Sequence, residues 1–143
     1  YAQTSMRIEK GFCAMGHELD SDVTPIAAGL DFATRKTGGF IGAEALAEAR
    51  DRGAAPRVIS LRFDDEGAVP LGHEPVLLDG QIIGQTTSCA FGYRVGRPVA
   101  LAHLSGSLPA DGTSVRVDIA RTLHTATVVH GALYDPDGNR MKG

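Results

Sequence analysis

Met6-Arg7-Ile8-Glu9-Lys10-Gly11-Phe12 sets one carboxylate among cations, with a glycine two residues beyond it. Gly16-His17, Thr24-Pro25 and Ala28-Gly29-Leu30 follow closely. An ionised carboxylate is acceptor-only and can take two neighbouring N–H donors side by side, and such charge-assisted bonds are the strong ones. Residue type alone does not assign Glu9 that task. On residues alone the favoured alternative is a surface carboxylate pairing with Arg7 or Lys10. Gly11 and Gly16 fit positive φ or close backbone approach.

The other reactive residue types make no recognisable constellation. His17, His73, His103, His124 and His130 lack HxxxH or HxH spacing, so no metal site is expected. His124 and His130 could meet on neighbouring strands, although ordinary surface or core histidines are the favoured reading. Ser60, Ser88, Ser105 and Ser107 sit in no Gly-x-Ser-x-Gly elbow. Gly38-Gly39 and Gly42 lack both the Lys-Ser/Thr of a phosphate loop and the Gly-x-Gly-x-x-Gly order of a dinucleotide site. Cys13 and Cys89 form no Cys-x-x-Cys pair, and two buried or half-buried free thiols in a reducing compartment are the favoured reading over a disulfide.

The chain of 143 residues fits one domain, or one domain and part of another. With no tryptophan and few aromatics, its core must rest on Val, Ile, Leu and Ala. A net charge of −3 with scattered basic residues gives no footprint for nucleic acid, and the pairs Arg50/Arg52 and Arg35/Lys36 read as solvated surface. No segment approaches the ~18 apolar residues of a membrane span, so no membrane partner is expected. The expected location is the cytoplasm, or the mitochondrial matrix in a eukaryote. Tyr1 fits a fragment or a processed chain.

The elements that must position these groups divide in two. Tyr1 to Lys10 gives a weak helix with Ala2, Met6 and Phe12 on one face, broken by Gly11 and Gly16. Leu30 to Ala33 is a short apolar run expected as a strand. Gly42 to Arg52 is the clearest helix, rich in Ala, Leu, Glu and Arg, with Glu48 and Arg52 spaced for an ion pair. Gly53 stops it and Pro56 prevents its return. From Arg57 the pattern is β. Arg57 to Phe63 alternates, with Val58 out of phase. Asp79-Gly80 between Val76-Leu77-Leu78 and Gln81-Ile82-Ile83 is a type I′ hairpin signature. Val99 to Leu104 is a buried strand, and Ser114 to Ile119 pairs with Thr125 to Val129 across a connection at Arg121 to His124. The fold class is mainly β with an α+β N-terminal segment, and the strand pattern of the C-terminal part fits a compact antiparallel β-barrel or a sandwich.

With these residues in order, the chain resembles the glycine-cleavage T-protein (aminomethyltransferase) family, including the folate-dependent C-terminal regions of dimethylglycine and sarcosine dehydrogenases. The resemblance starts in the Arg7-x-Glu9-x-Gly11 block. It continues through Phe40-Ile41-Gly42 with Glu44-Ala45-Leu46, then Pro70-x-Gly72-x-Glu74-Pro75, Gly84, Thr87-Ser88, Gly92-Tyr93, Val99 to Ala102, and Leu133-Tyr134-Asp135-Pro136. Each motif is weak, and their order and spacing are strong.

The resemblance implies that residues 1–55 end a folate-binding domain and that residues 56–143 form the family's C-terminal barrel. It implies tetrahydrofolate as cofactor, with Glu9 accepting two hydrogen bonds from the pterin edge. Arg7 and Tyr93 are further cofactor-site candidates, Arg7 chiefly by holding the loop. Ala43 stands where the family signature has arginine, so any hold that arginine gives the folate tail is missing here.

The family's catalytic aspartate lies near the start of the folate domain, outside this chain. No catalytic residue is therefore assigned, and the isolated chain is expected to be inactive. FAD would belong to an upstream domain, and the partners are folate and the upstream folate and flavin domains. The block around Glu9 leans towards the dehydrogenases. The rival reading is a non-catalytic barrel that packs against a larger subunit and completes its site.

Overall fold

The structure, a computed structural model, describes residues 1–142. Helix α1 (Ala2–Glu9), a 3-10 turn (Asp31–Ala33) and helix α2 (Ala43–Asp51) precede six strands. These are β1 (Val58–Phe63), β2 (Pro75–Leu78), β3 (Gln81–Gly92), β4 (Arg97–Leu104), β5 (Ser114–Ile119) and β6 (Thr122–Val129), with the short helix α3 (Asn139–Lys142) at the end. The strands close an antiparallel barrel in the order β1-β4-β3-β2-β5-β6. Closure leaves no unpaired sheet edge.

The barrel is filled by Ile59, Leu61, Phe63, Val76, Ala100, Ala102, Leu104, Val115, Val117, Ala126 and Val128. Small side chains on β4 and β6 suit the narrow bore. β4 is buried on its outer face too, because Val99 and Leu101 pack under Ile8 of α1. Burial on both faces is why this strand reads as a continuous apolar run. The same outer cluster takes Val58, which explains its departure from the alternation along β1.

Turn chemistry fixes the hairpins. Asp79 and Gly80 both have positive φ, at 51° and 78°, and the hairpin closes as its sequence predicts. β5 and β6 are joined by an equally short turn at Ala120-Arg121, with φ of 51° and 68°. The expected connection at Arg121 to His124 is thus corrected: Thr122 to His124 are already paired in β6. Neither Ala nor Arg advertises a left-handed turn, so closure of the ladder imposes it.

Other expectations are overturned. Leu30 to Ala33 is no strand but enters a 3-10 turn, which the closed barrel leaves without a partner strand. Asp31 instead gathers Arg50 (Nη2 at 2.6 Å, Nε at 2.9 Å), Lys36 (2.5 Å) and Thr34 (3.0 Å). Arg50 therefore ties α2 to this turn, and Lys36 clips the turn to the loop that follows it. The Arg52–Glu48 ion pair forms at 3.4 Å in the open.

α1 buries Ser5, Ile8 and Glu9, while Met6 and Phe12 are exposed. The buried face is largely polar, so an apolar periodicity could not reveal it. His124 lies in β6 and His130 just past its end, on one strand rather than two. His124 faces Asp65 at 3.0 Å, and His130 Nε2 lies 2.8 Å from the Pro109 carbonyl.

Candidate functional site

Glu9 ends α1 and is only 2% exposed, which rules out the surface ion pair. Its Oε1 accepts the backbone N–H groups of Arg94 at 2.6 Å and Val95 at 3.0 Å, in the β3–β4 turn. Two donors use both lone pairs of that oxygen. Among the described residues no hydrogen bond reaches Oε2. The side-by-side grip expected of Glu9 therefore reduces, with this turn in place, to one available oxygen. The neighbouring cations are engaged elsewhere: Lys10 bonds Asp135, and Arg7 bonds Glu18.

Arg7 is a brace. Its guanidinium reaches Ser88 Oγ at 2.7 Å, Glu18 Oε2 at 3.2 Å and the Phe12 carbonyl at 3.2 Å, tying α1, the following loop and β3 together. Glu18 is fully buried and also accepts Thr87 Oγ1 at 2.6 Å and the Ala14 N–H at 2.9 Å. A β-bulge makes this possible. The β3–β4 register shifts between Thr86 and Ser88, so consecutive hydroxyls of Thr87 and Ser88 serve the same ion pair. Thr86 points the other way, to the Glu74 carboxylate. Glu74 also accepts the N–H groups of Leu71 at 2.5 Å and Gly72 at 3.0 Å, which explains the Pro70-x-Gly72-x-Glu74-Pro75 motif as a folded turn latched to β3.

Tyr93 is 77% exposed and stacks edge-on against Phe91, ring centroids 5.2 Å apart. The segment after β6 returns to the same place. The Tyr134 N–H donates to the Glu9 carbonyl at 2.9 Å, and the Arg140 guanidinium lies 5.9 Å from the Tyr134 ring centre. The structure thus brings Glu9, the 91–95 turn and Tyr134 together. Arg7 stands behind them through Glu18 and Ser88. A separate cleft of about 910 Å3, lined by residues 35–45 with Ala47 and Arg50, includes none of Glu9, Arg7 and Tyr93.

The profile of the glycine cleavage T-protein C-terminal barrel domain matches residues 57–135. The chain belongs to the glycine-cleavage T-protein family. Human mitochondrial dimethylglycine dehydrogenase is 30% identical over 146 residues, which cover 99% of this chain and 17% of that protein. Aminomethyltransferase of Moorella thermoacetica is 34% identical over 134 residues, covering 93% of this chain and 36% of that one. The crystal structure of glycine cleavage system aminomethyltransferase T from Bartonella henselae superposes with a TM-score of 0.80 at 27% identity, over 92% of this chain and 37% of that one. The chain therefore spans a minor part of the relatives it matches.

In this T-protein-family barrel the remaining candidate groups are structural. Burial and the nearby Glu74 carboxylate push the Cys89 thiol up to about 12, and burial raises Cys13 as well, which disfavours the thiolate form of both. They are free thiols. Among the described residues no group of three or more His, Cys, Asp or Glu is placed to hold a metal ion. No helix among them is long and apolar enough to cross a membrane. Ala43 opens α2 on the wall of the 910 Å3 cleft. Glu18, Thr87 and Tyr134 escaped the sequence reading as site-forming residues. Thr87-Ser88 and Tyr134 lie in motifs that carried the family resemblance, which was the available signal.

The buried carboxylates give the family barrel an acid limit. Burial alone would raise Glu18, but hydrogen bonds from Ser88, Thr87 and the Ala14 amide, with Arg7 beside it, hold it below the usual glutamate value. Glu74 is lowered in the same way, its burial outweighed by Thr86 and the turn amides. A lowered folded value adds stability that is complete above the unfolded glutamate pKa of about 4.3 and is lost as pH falls through the folded value. Urea midpoints are expected to be level from pH 7 to about 5 and to drop below about 4. Glu18→Gln should flatten part of that drop. An unchanged acid limb in this variant would remove Glu18 from the account.

Proposed function

We propose that this chain is the C-terminal part of a tetrahydrofolate-dependent aminomethyltransferase-like protein, within a dimethylglycine or sarcosine dehydrogenase. Such a protein transfers a one-carbon unit from an N-methyl or aminomethyl donor to tetrahydrofolate. Residues 1–55 end its folate domain. The flavin of a dehydrogenase belongs to a domain outside this chain, and the compartment is the cytoplasm or a mitochondrial matrix. Support comes from the match to dimethylglycine dehydrogenase along 99% of the chain.

The observation that carries the reading is the Glu9 carboxylate, nine-tenths and more buried, with one oxygen fixed by two amides and the other given no donor among the described residues. An ionised carboxylate oxygen is acceptor-only, so Oε2 can take a donor from outside the chain. A ligand with a polarised N–H edge suits Oε2, and the reduced pterin offers such donors. The folate supplies the nucleophilic nitrogen that takes up the carbon. The residues here bind and orient it: Glu9 fixes the pterin edge, and Tyr93 with Phe91 gives an aromatic rim.

The reading is tested by calorimetric titration with a stable reduced folate, on the chain joined to the upstream folate domain of its relatives. Glu9→Ala removes a charge-assisted bond, which is worth about 1.5–3 kcal/mol, and affinity is expected to fall about ten- to a hundredfold. Equal affinity for both proteins would sink the assignment of Glu9.

A second reading, a barrel that completes the site of a separate larger subunit, is favoured by the exposed apolar side chains of Phe32 and Ile41. Affinity purification through the native protein that recovers folate and flavin domains on another chain would select it.

A further inference from the structure

We propose that Gly92 is a positioning residue for the folate-facing carboxylate of Glu9, and that the absent side chain at this position is what seats Oε1 in the Arg94–Val95 amides. The proposal rests on the reading of Glu9 given above. Gly92 has ordinary backbone geometry and is paired with Arg97 at the end of β3, so its need is space and not a left-handed φ. A Cβ at this position would lie 3.0 Å from Glu9 Oε1, 3.1 Å from Val99 Cγ1 and 3.2 Å from the Arg97 carbonyl oxygen.

The three neighbours differ in how readily they yield. The Arg97 carbonyl belongs to the turn backbone that closes the ladder, and Val99 is fully buried under α1. The carboxylate ends a side chain with three rotatable bonds. It is the group that moves, and a shift of a few tenths of an ångström lengthens and misaligns its bonds to the two amides. Ser5, one turn earlier on α1, donates Oγ–H to the Phe91 carbonyl at 2.6 Å and holds the helix against this segment. The Tyr134 amide fixes the Glu9 main chain from the other side. With both ends of Glu9 anchored, a Cβ at Gly92 turns Oε2 away from its present direction instead of shifting the whole residue. The barrel thus orients a ligand-binding group that the N-terminal segment supplies.

The test is a double-mutant cycle in the protein carrying the upstream folate domain, read by affinity for a stable reduced folate and by hydrogen exchange at Arg94 and Val95. Gly92→Ala is expected to weaken folate at least tenfold in the presence of Glu9 and to have no further effect in a Glu9→Ala background. Exchange at the two amides should rise in both single variants. If Gly92→Ala weakens folate equally with and without Glu9, the residue acts through the fold and the proposal fails. It also fails if only Glu9→Ala weakens folate. If Glu9→Ala leaves affinity unchanged, the reading of Glu9 itself fails. The same cycle in a Val99→Ala background relieves the second close contact and keeps the test available should Gly92→Ala alone not fold.

Discussion

Gly84→Ala is expected to destabilise the protein by about 3 kcal/mol or more, a large overpacking penalty and a sizeable part of a domain's total stability. A Cβ at Gly84 would sit 2.1 Å from the His103 carbonyl oxygen and 2.8 Å from Leu104 Cα. Both are backbone atoms of β4, and Gly84 is paired with Leu104 in the register that closes β3 onto β4. No rotamer relieves such a contact, so the strands must part locally or shift. Urea denaturation, beside the exposed neighbour variant Gln85→Ala, checks it, and the control should stay within about 0.5 kcal/mol of wild type. The melting temperature should fall by about 10 °C. A Gly84→Ala protein within about 1 kcal/mol of wild type would mean that β4 gives way far more easily than a closed barrel should.

Glu18→Ala carries the second large effect. The variant strips three partners at once: Thr87 Oγ1, the Ala14 N–H and the Arg7 guanidinium. Breaking a buried pair by removing one member costs about 3–5 kcal/mol. Arg7 keeps Ser88 and some contact with water, its side chain being 16% exposed, so the lower end applies. Arg7→Ala should cost less, because Glu18 retains Thr87 and Ala14. The double variant should cost less than the sum of the two, as residues sharing one network do. Hydrogen exchange would rise first at Ala14. Because the same brace fixes α1, and α1 carries Glu9, Glu18→Ala should also weaken reduced folate without touching it. Additive effects of Arg7→Ala and Glu18→Ala would show that the pair is not a unit.

The residues that the chain keeps small or polar mark where sequence reading ended. Gly84 and Gly92 have no positive φ, so no turn rule flags them; their cause is a strand or a carboxylate brought close from far along the chain. Ser5 and Glu9 sit on the buried face of α1, where an apolar period predicts nothing, and the exposed Met6 and Phe12 misdirected that prediction. The left-handed pair Ala120-Arg121 is invisible for a related reason: the tertiary ladder overrides local preference.

By itself the sequence determined what local physics governs. It gave the α2 helix and its glycine stop, the Asp79-Gly80 hairpin, the β character from Arg57 onward and, through ordered motifs, the family. These follow from propensity, spacing and turn chemistry within a few residues. Tertiary structure alone decided the order in which the six strands close the expected barrel, that α1 is what covers the outer face of β4, and that two turn amides occupy one oxygen of Glu9. Arg7 becomes a brace and Tyr134 a neighbour of Glu9 only there too. The outcomes at Glu9 and Arg7 depend on which distant donor reaches a buried charge, and that is fixed by closure of the whole ladder and not by any short stretch of residues.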